Sequence, residues 1–179
     1  MSRSVIQNGK KPAFLFLCFF VFQSYIYAQT PYFKSITISR DNASLGINDM
    51  FIDRSRFLWL ATNEGLYKFN GRTASVFLLN VKGAGQEVTA VIQDSRENIW
   101  VGFKSGEIAM LQDSVLIPVK SHGDLSASAI TSIMEDKQGR IWITTAGDGI
   151  FYMEGTNKYH LNADDGLADN YTYSISNVQ

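Results

Sequence analysis

The sequence predicts an all-β chain built from repeated four-stranded units, and three observations carry that expectation. The three tryptophans, Trp59, Trp100 and Trp142, are spaced by 41 and 42 residues. An aspartate stands six residues before each of them, at Asp53, Asp94 and Asp136. An apolar pair precedes each aspartate at fixed offsets: Ile47 with Met50, Val88 with Val91, and Ile130 with Ile133. Leu58, Ile99 and Ile141 fall directly before the tryptophans, so several positions recur in register three times. A period of this length is the signature of a repeat architecture. The 13% aromatic content suits strands better than helical bundles.

Taken in order, each unit reads as strand, turn, strand, strand, strand. Residues 47–53 form a buried strand, and 53–56 a turn, because an aspartate at a turn's first position bonds the backbone two residues on. The sequence Asp136-Lys137-Gln138-Gly139 is its cleanest copy, with glycine at the last position of a type I turn. The tryptophan lies on the second strand, 57–62 in the first unit. Gly65, Gly106 or Gly149 then admits a third strand, at 66–69 or 107–111 in the first two units. A fourth follows at 74–79, 115–119 and 157–161. No helical period runs through residues 29–179. Four short strands per unit of about 40–45 residues is the arithmetic of a β-propeller blade. Gly166-Leu167 and the run from Tyr171 to Ile175 open a fourth unit, with Val178 where its aspartate is due. The expected fold is therefore an incomplete propeller: about three blades of four antiparallel strands plus the start of a fourth.

The first 28 residues stand apart. Lys10 and Lys11 precede a short apolar run at 13–22, and Ala28 offers a small residue before Gln29, the pattern of a cleaved signal peptide. The apolar run is about half the roughly 20 residues a spanning helix needs. Leu17 before Cys18 is too large for a lipoprotein cleavage site, so Cys18 is not read as lipidated. Cleavage leaves a chain without cysteine that relies on packing. Its formal charge moves from −1 to −4, which argues against nucleic acid and polybasic membrane docking. The expected division is a signal peptide at 1–28 and a lead-in at 29–46 with a lone outer strand at 33–38. Blades follow at 47–87, 88–129 and 130–165, and the truncated fourth unit at 166–179. Closure takes about four to eight blades. The chain is thus expected to be a fragment of a longer frame, or else a unit that closes by oligomerisation.

The repeats resemble those of the two-component regulator propeller family. That unit runs as Gly-Leu, an apolar-x-x-apolar-x-x-Asp strand, a Gly-bearing turn, then Leu/Ile-Trp-Ile-Gly-Thr leading to Gly-Leu. The third unit shows Ile130, Ile133, Asp136, Gly139 and Ile141-Trp142-Ile143-Thr144-Thr145. The first shows Leu58-Trp59-Leu60-Ala61-Thr62 and Gly65-Leu66-Tyr67, while the second has Phe103 where threonine is usual. The resemblance implies an exported, periplasmic ligand sensor. Further blades, a membrane helix and a cytoplasmic histidine kinase follow in such proteins, giving an inner-membrane anchored full-length form that works as a homodimer. It also implies a small-molecule or oligosaccharide ligand, many relatives sensing polysaccharide breakdown products. No cofactor and no catalysis are expected of this segment. The alternatives are a secreted interaction module, and an enzyme such as a propeller lyase or quinone-dependent dehydrogenase.

Candidate sites divide between scaffold and rim. The strict register assigns Trp59, Trp100 and Trp142 to inter-blade core rather than to sugar stacking. It assigns Asp53, Asp94 and Asp136 to turn capping rather than to a carboxylate ring. Ala146-Gly147-Asp148-Gly149 lacks the strand-to-helix context of a phosphate loop. His122 and His160 lack the third ligand and spacing of a metal site. Ser126 and Ser128 near His122 lack an orienting acid. The loops opposite the aspartate turns carry Asn63, Glu64, Lys104, Ser105, Asp148 and Asn170, and variable polar loops on a rigid scaffold are where binding concentrates.

Overall fold

The computed structural model describes residues 38, 45–79, 85–119, 127–155 and 157–176, which belong to one unit. The expected signal peptide with Cys18, nearly all of the expected lone strand at 33–38, and His122 and Ser126 lie outside the described residues. Among the described residues twelve strands form three separate four-stranded antiparallel sheets. The first contains β1 (Ile47–Ile52), β2 (Leu58–Thr62), β3 (Gly65–Phe69) and β4 (Ala74–Phe77). The second contains β5 (Val88–Gln93), β6 (Ile99–Phe103), β7 (Ile108–Gln112) and β8 (Val115–Pro118). The third contains β9 (Ile130–Glu135), β10 (Ile141–Thr145), β11 (Ile150–Glu154) and β12 (Asn157–Leu161). Strands neighbour one another in chain order within each sheet, and the three first strands β1, β5 and β9 pack on one another. This is the expected propeller arrangement of blades, numbered 1 to 3 below, with first strands innermost.

Strand alternation explains the stacking. Side chains at i and i+2 share a face of a strand. On β6, Val101 and Phe103 join Trp59, Leu66 and Val91 in the core between blades 1 and 2. Trp100, on the opposite face, joins Ile130, Ile133, Ile143 and Phe151 between blades 2 and 3. All five residues of β6 are buried for this reason. Trp59 and Trp100 thus lie in inter-blade cores, whereas Trp142 is half-buried and lies outside both clusters.

Gly102 shares Trp100's face, and a Cβ there would lie 2.5 Å from Ile130 Cγ2 and 2.8 Å from Ile130 Cβ. Blade 3 approaches blade 2 closely only because this side chain is missing. The departure at Phe103 has an equally local reason. Thr62 Oγ1 and Thr145 Oγ1 donate to the carbonyls of Gly65 and Gly149, closing the following loop. Phe103 forgoes that bond and is fully buried in the first core.

The first strand is not buried as the sequence reading expects, because no blade covers the face carrying Ile47 and Met50 among the described residues, and the strand ends also shift slightly. The aspartates stand outside the first strands because they begin the turns, and β4 stops at Phe77, with Leu79 making an isolated bridge to Leu116. Among the described residues a 3-10 turn at Ala163–Asp165, capped by Asn162, has no counterpart in the sequence reading.

Replacing Gly102 by alanine should cost about 1–3 kcal/mol, the usual range for overpacking a close-fitted core. Chemical denaturation reads this as a lower midpoint at unchanged slope. An unchanged midpoint would show that the two blades have slack to separate.

Candidate functional site

One rim is built from the aspartate turns. In each, one carboxylate oxygen closes the turn, and the other takes the indole of the tryptophan six residues on. Asp53 Oδ1 accepts the Phe57 N–H, Asp94 Oδ1 accepts those of Arg96 and Asn98, and Asp136 Oδ1 accepts those of Gln138 and Arg140. Asp53, Asp94 and Asp136 then accept the Nε1–H of Trp59, Trp100 and Trp142 at 2.8, 2.8 and 2.7 Å. The turn's fourth residue is left-handed in all three copies, at Arg56 (φ 66°), Glu97 (φ 70°) and Gly139 (φ 79°), and only blade 3 places glycine there.

Adjacent turns are latched. The Arg54 N–H donates to Gln93 Oε1 at 3.0 Å, and the Ser95 N–H donates to Glu135 Oε2 at 2.6 Å. Arg54 and Ser95 each follow an aspartate, while Gln93 and Glu135 each precede the next. Blade 1 carries Ile52 at the acceptor position, and that side chain is exposed.

The inner strands are tied similarly. Asn48 Nδ2 donates to the Val88 carbonyl at 2.7 Å, and Thr131 Oγ1 donates to the Thr172 carbonyl at 2.6 Å. Thr172 stands in the fourth unit where Val88 stands in the second. The start of that unit is therefore seated on blade 3 as blade 2 is seated on blade 1. Between them lies a cavity of about 340 Å³, lined by Met134, Asp136, Arg140, Trp142 and Ile175 among others. Trp142 is only half-buried there, and its ring stacks on Tyr152, with centroids 4.6 Å apart.

The opposite rim carries all six loop residues singled out in the sequence. Asn63 and Glu64 lie between β2 and β3, Lys104 and Ser105 between β6 and β7, and Asp148 between β10 and β11. The backbone N–H of Asn63, Lys104 and Ala146 donates to the carbonyl of Gly46, Glu87 and Ala129, the residue before each blade's first strand. Asn63 Oδ1 also takes the Gly46 N–H, Lys104 pairs with Glu87 at 2.9 Å, and Ser105 Oγ bonds Glu107. The Gly149 N–H donates to the Asn170 carbonyl, tying the loop after β10 to the fourth unit, while Asp148 Oδ2 accepts the Ala127 N–H and Asn170 Oδ1 accepts that of Ala163.

His160 bonds the Asp148 carbonyl at 2.6 Å and stacks on Phe151. Beside them Tyr171 is 54% exposed and pairs with Ala146. Sequence reasoning used Tyr171 only as a register marker, although an aromatic residue at a blade entrance, next to a Gly-Asp-Gly loop, was legible. Among the described residues no three His, Cys, Asp or Glu side chains gather as a metal site requires.

Residues 124–147 match the family model described as two component regulator propeller. The matched segment spans β9, its aspartate turn and β10, and is similar to a repeat of that family. No curated protein matches the chain. Among solved structures it is similar to the extracellular domain of a protein described as a hybrid two component system of Bacteroides thetaiotaomicron. Identity is 18% over 78% of this chain and 20% of that one, with a TM-score of 0.64. An inactive variant of virginiamycin B lyase from Staphylococcus aureus follows, at 18% identity, 75% and 46% coverage, and a TM-score of 0.60. PorZ of the type-IX secretion system of Porphyromonas gingivalis gives 18%, 75%, 23% and 0.59. At this identity the likenesses establish the propeller fold alone. The chain spans about a fifth of the length of the Bacteroides domain.

In two of the aspartate turns, those of Asp94 and Asp136, the carboxylate ionises unusually easily. Burial opposes the charge on Asp136, but the donors on Trp142, Arg140 and Gln138 outweigh it and bring its pKa from 3.8 to about 2. Asp94 is likewise lowered, against burial, by Trp100, Asn98 and Arg96. A depressed folded-state pKa contributes stability that is complete above the unfolded value and lost as pH falls through the folded one. Stability should therefore decline from about pH 4 to about pH 2. Asp136→Asn should flatten that decline and lower neutral-pH stability, because one amide cannot accept on both sides. Denaturation midpoints against pH in both proteins decide it; parallel curves would count against the assignment.

Proposed function

We propose that this chain is the N-terminal part of the periplasmic, ligand-sensing propeller of a hybrid two-component sensor and performs no catalysis itself. The observation that carries this reading is the regulator-propeller repeat at 124–147, embedded in a blade whose neighbours repeat its bonds. The apolar run at 13–22, preceded by Lys10 and Lys11 and followed by the small residue Ala28 before Gln29, supports export. Membership of a larger ring is supported by blade 1. There Ile47, Met50 and Ile52 are 49%, 63% and 66% exposed, whereas Val88, Val91, Ile130 and Ile133 at matching positions are 0–4% exposed.

The ligand we propose is a small molecule or oligosaccharide held on the loop rim. Exposed Tyr171 offers a stacking face beside Asp148 and Asn170, and Glu64 and Ser105 extend the polar surface. Because each loop is bonded to the residue entering its blade's first strand, a ligand bridging loops acts on the inner strands. That biases the arrangement of a sensor dimer, which the downstream helices carry to the kinase. The lyase reading is favoured only by likeness of fold, and fold does not imply function.

Two measurements test the proposal. The reading frame downstream of Gln179 should continue through further blades to a membrane helix and a kinase; a frame with no output module would sink the sensor reading. In the complete propeller, calorimetry against an oligosaccharide panel should find a ligand whose binding Tyr171→Ala weakens at least about ten-fold, or ~1.4 kcal/mol, with an unchanged melting temperature. Undiminished binding in that variant would move the site off this rim.

A further inference from the structure

The turn between β3 and β4 joins a reactive dipeptide to a specific hydrogen-bond arrangement. Asn70-Gly71-Arg72-Thr73 is closed by the Asn70 N–H donating to the Thr73 carbonyl, and all four residues but the strand flanks are exposed. The Asn70 side-chain carbonyl oxygen accepts the backbone N–H groups of Arg72 at 2.8 Å and Thr73 at 2.7 Å. Its amide nitrogen donates to Thr73 Oγ1 at 2.9 Å. Gly71 has φ +90° and open space where a Cβ would stand, so nothing crowds its nitrogen's neighbourhood. An asparagine side chain bonded to the amides two and three residues on is folded back over its own backbone.

We propose that Asn70-Gly71 is a site of spontaneous, intramolecular conversion of amide to acid. The Gly71 nitrogen attacks Asn70 Cγ and gives its proton to solvent. Negative charge develops on Oδ1, where the Arg72 and Thr73 N–H groups already point; one such pre-placed donor is commonly worth about 10²-fold or more in rate. The Cγ–Nδ2 bond then breaks, and the nitrogen leaves as ammonia after taking a proton from water. The resulting five-membered imide is opened by one water molecule at either carbonyl, giving aspartate or isoaspartate. No oxidant or further reactant is needed. The product adds a negative charge beside Arg72, and the isoaspartate form lengthens the main chain within the turn that pairs β3 with β4.

Asn162 supplies an internal control. Its side chain accepts the Asp164 N–H at 2.8 Å in a comparable fold-back, but Ala163 follows it. The test is to hold the purified chain at mildly alkaline pH in oxygen-18 water and map its peptides by mass spectrometry. Asn70 should gain one heavy oxygen as it converts, while Asn162 stays an amide, and conversion in the folded chain should be several-fold faster than in the same chain unfolded in denaturant. Gly71→Ala should slow it several-fold. Conversion at Asn70 that is equal or slower in the folded chain would overturn the proposal, since the turn would then shield the amide rather than position it.

Discussion

The structure depends on one carboxylate per blade that serves two masters. Asp53, Asp94 and Asp136 each close a turn with one oxygen and hold a tryptophan indole with the other. Burying a tryptophan is favourable for its large apolar area, but its Nε1–H must find a partner or cost most of a hydrogen bond's desolvation. An ionised acceptor makes the stronger kind of bond, and it is held in place by backbone amides that the turn would otherwise leave unsatisfied. The same bond therefore fixes the reversal between first and second strands and the orientation of the largest side chain on the blade. Neither element would be placed without the other.

Once the ring is oriented, stacking follows. Trp59 faces Val88 and Val91, and Trp100 faces Ile130 and Ile133, so blades 1 and 2 each offer a tryptophan face that blades 2 and 3 receive on the apolar face of their first strands. Apolar packing alone leaves sliding permitted, because it is not directional. The latches from Arg54 to Gln93 and from Ser95 to Glu135 remove that freedom, as do the bonds from Asn48 to Val88 and from Thr131 to Thr172. Blade 1 breaks the latch code with Ile52, which offers a preceding turn only apolar contact. The receiving face of blade 1 is thus built on different terms from the two internal junctions.

The fold was legible because its cause is periodic. Asp, Trp and the apolar pair return at fixed offsets, so strand order and the aspartate turns could be read from spacing, as could the places of Trp59 and Trp100 between blades but not the half-buried Trp142. What spacing hid was the link between the two best-marked residues. Asp and Trp six apart were assigned separate tasks, turn capping and core, because a turn and a strand lie between them and only the three-dimensional reversal brings carboxylate to indole. The latches escaped for a related reason: Gln93 and Glu135 are different residue types sharing one acceptor chemistry, at a position where blade 1 has isoleucine. On the loop rim the sequence located Asn63, Lys104, Asp148 and Asn170 but not their bonding. Their partners, Gly46, Glu87 and Ala127, are loop residues without a recurring side chain, so no pattern announces them.

That bonding bears on how a propeller of this kind could respond to anything. A rigid scaffold with loose loops would bind without consequence, since loop motion would dissipate in solvent. Here the backbone N–H of Asn63, Lys104 and Ala146 is bonded to the residue that enters each first strand. The first strands in turn pack on one another along the inner side. Displacing a loop therefore displaces the entry of the strand that sets the blade's angle to its neighbours. The aspartate turns at the other end are latched blade to blade, so the two rims are held differently: turn to turn on one, and loop to inner strand on the other.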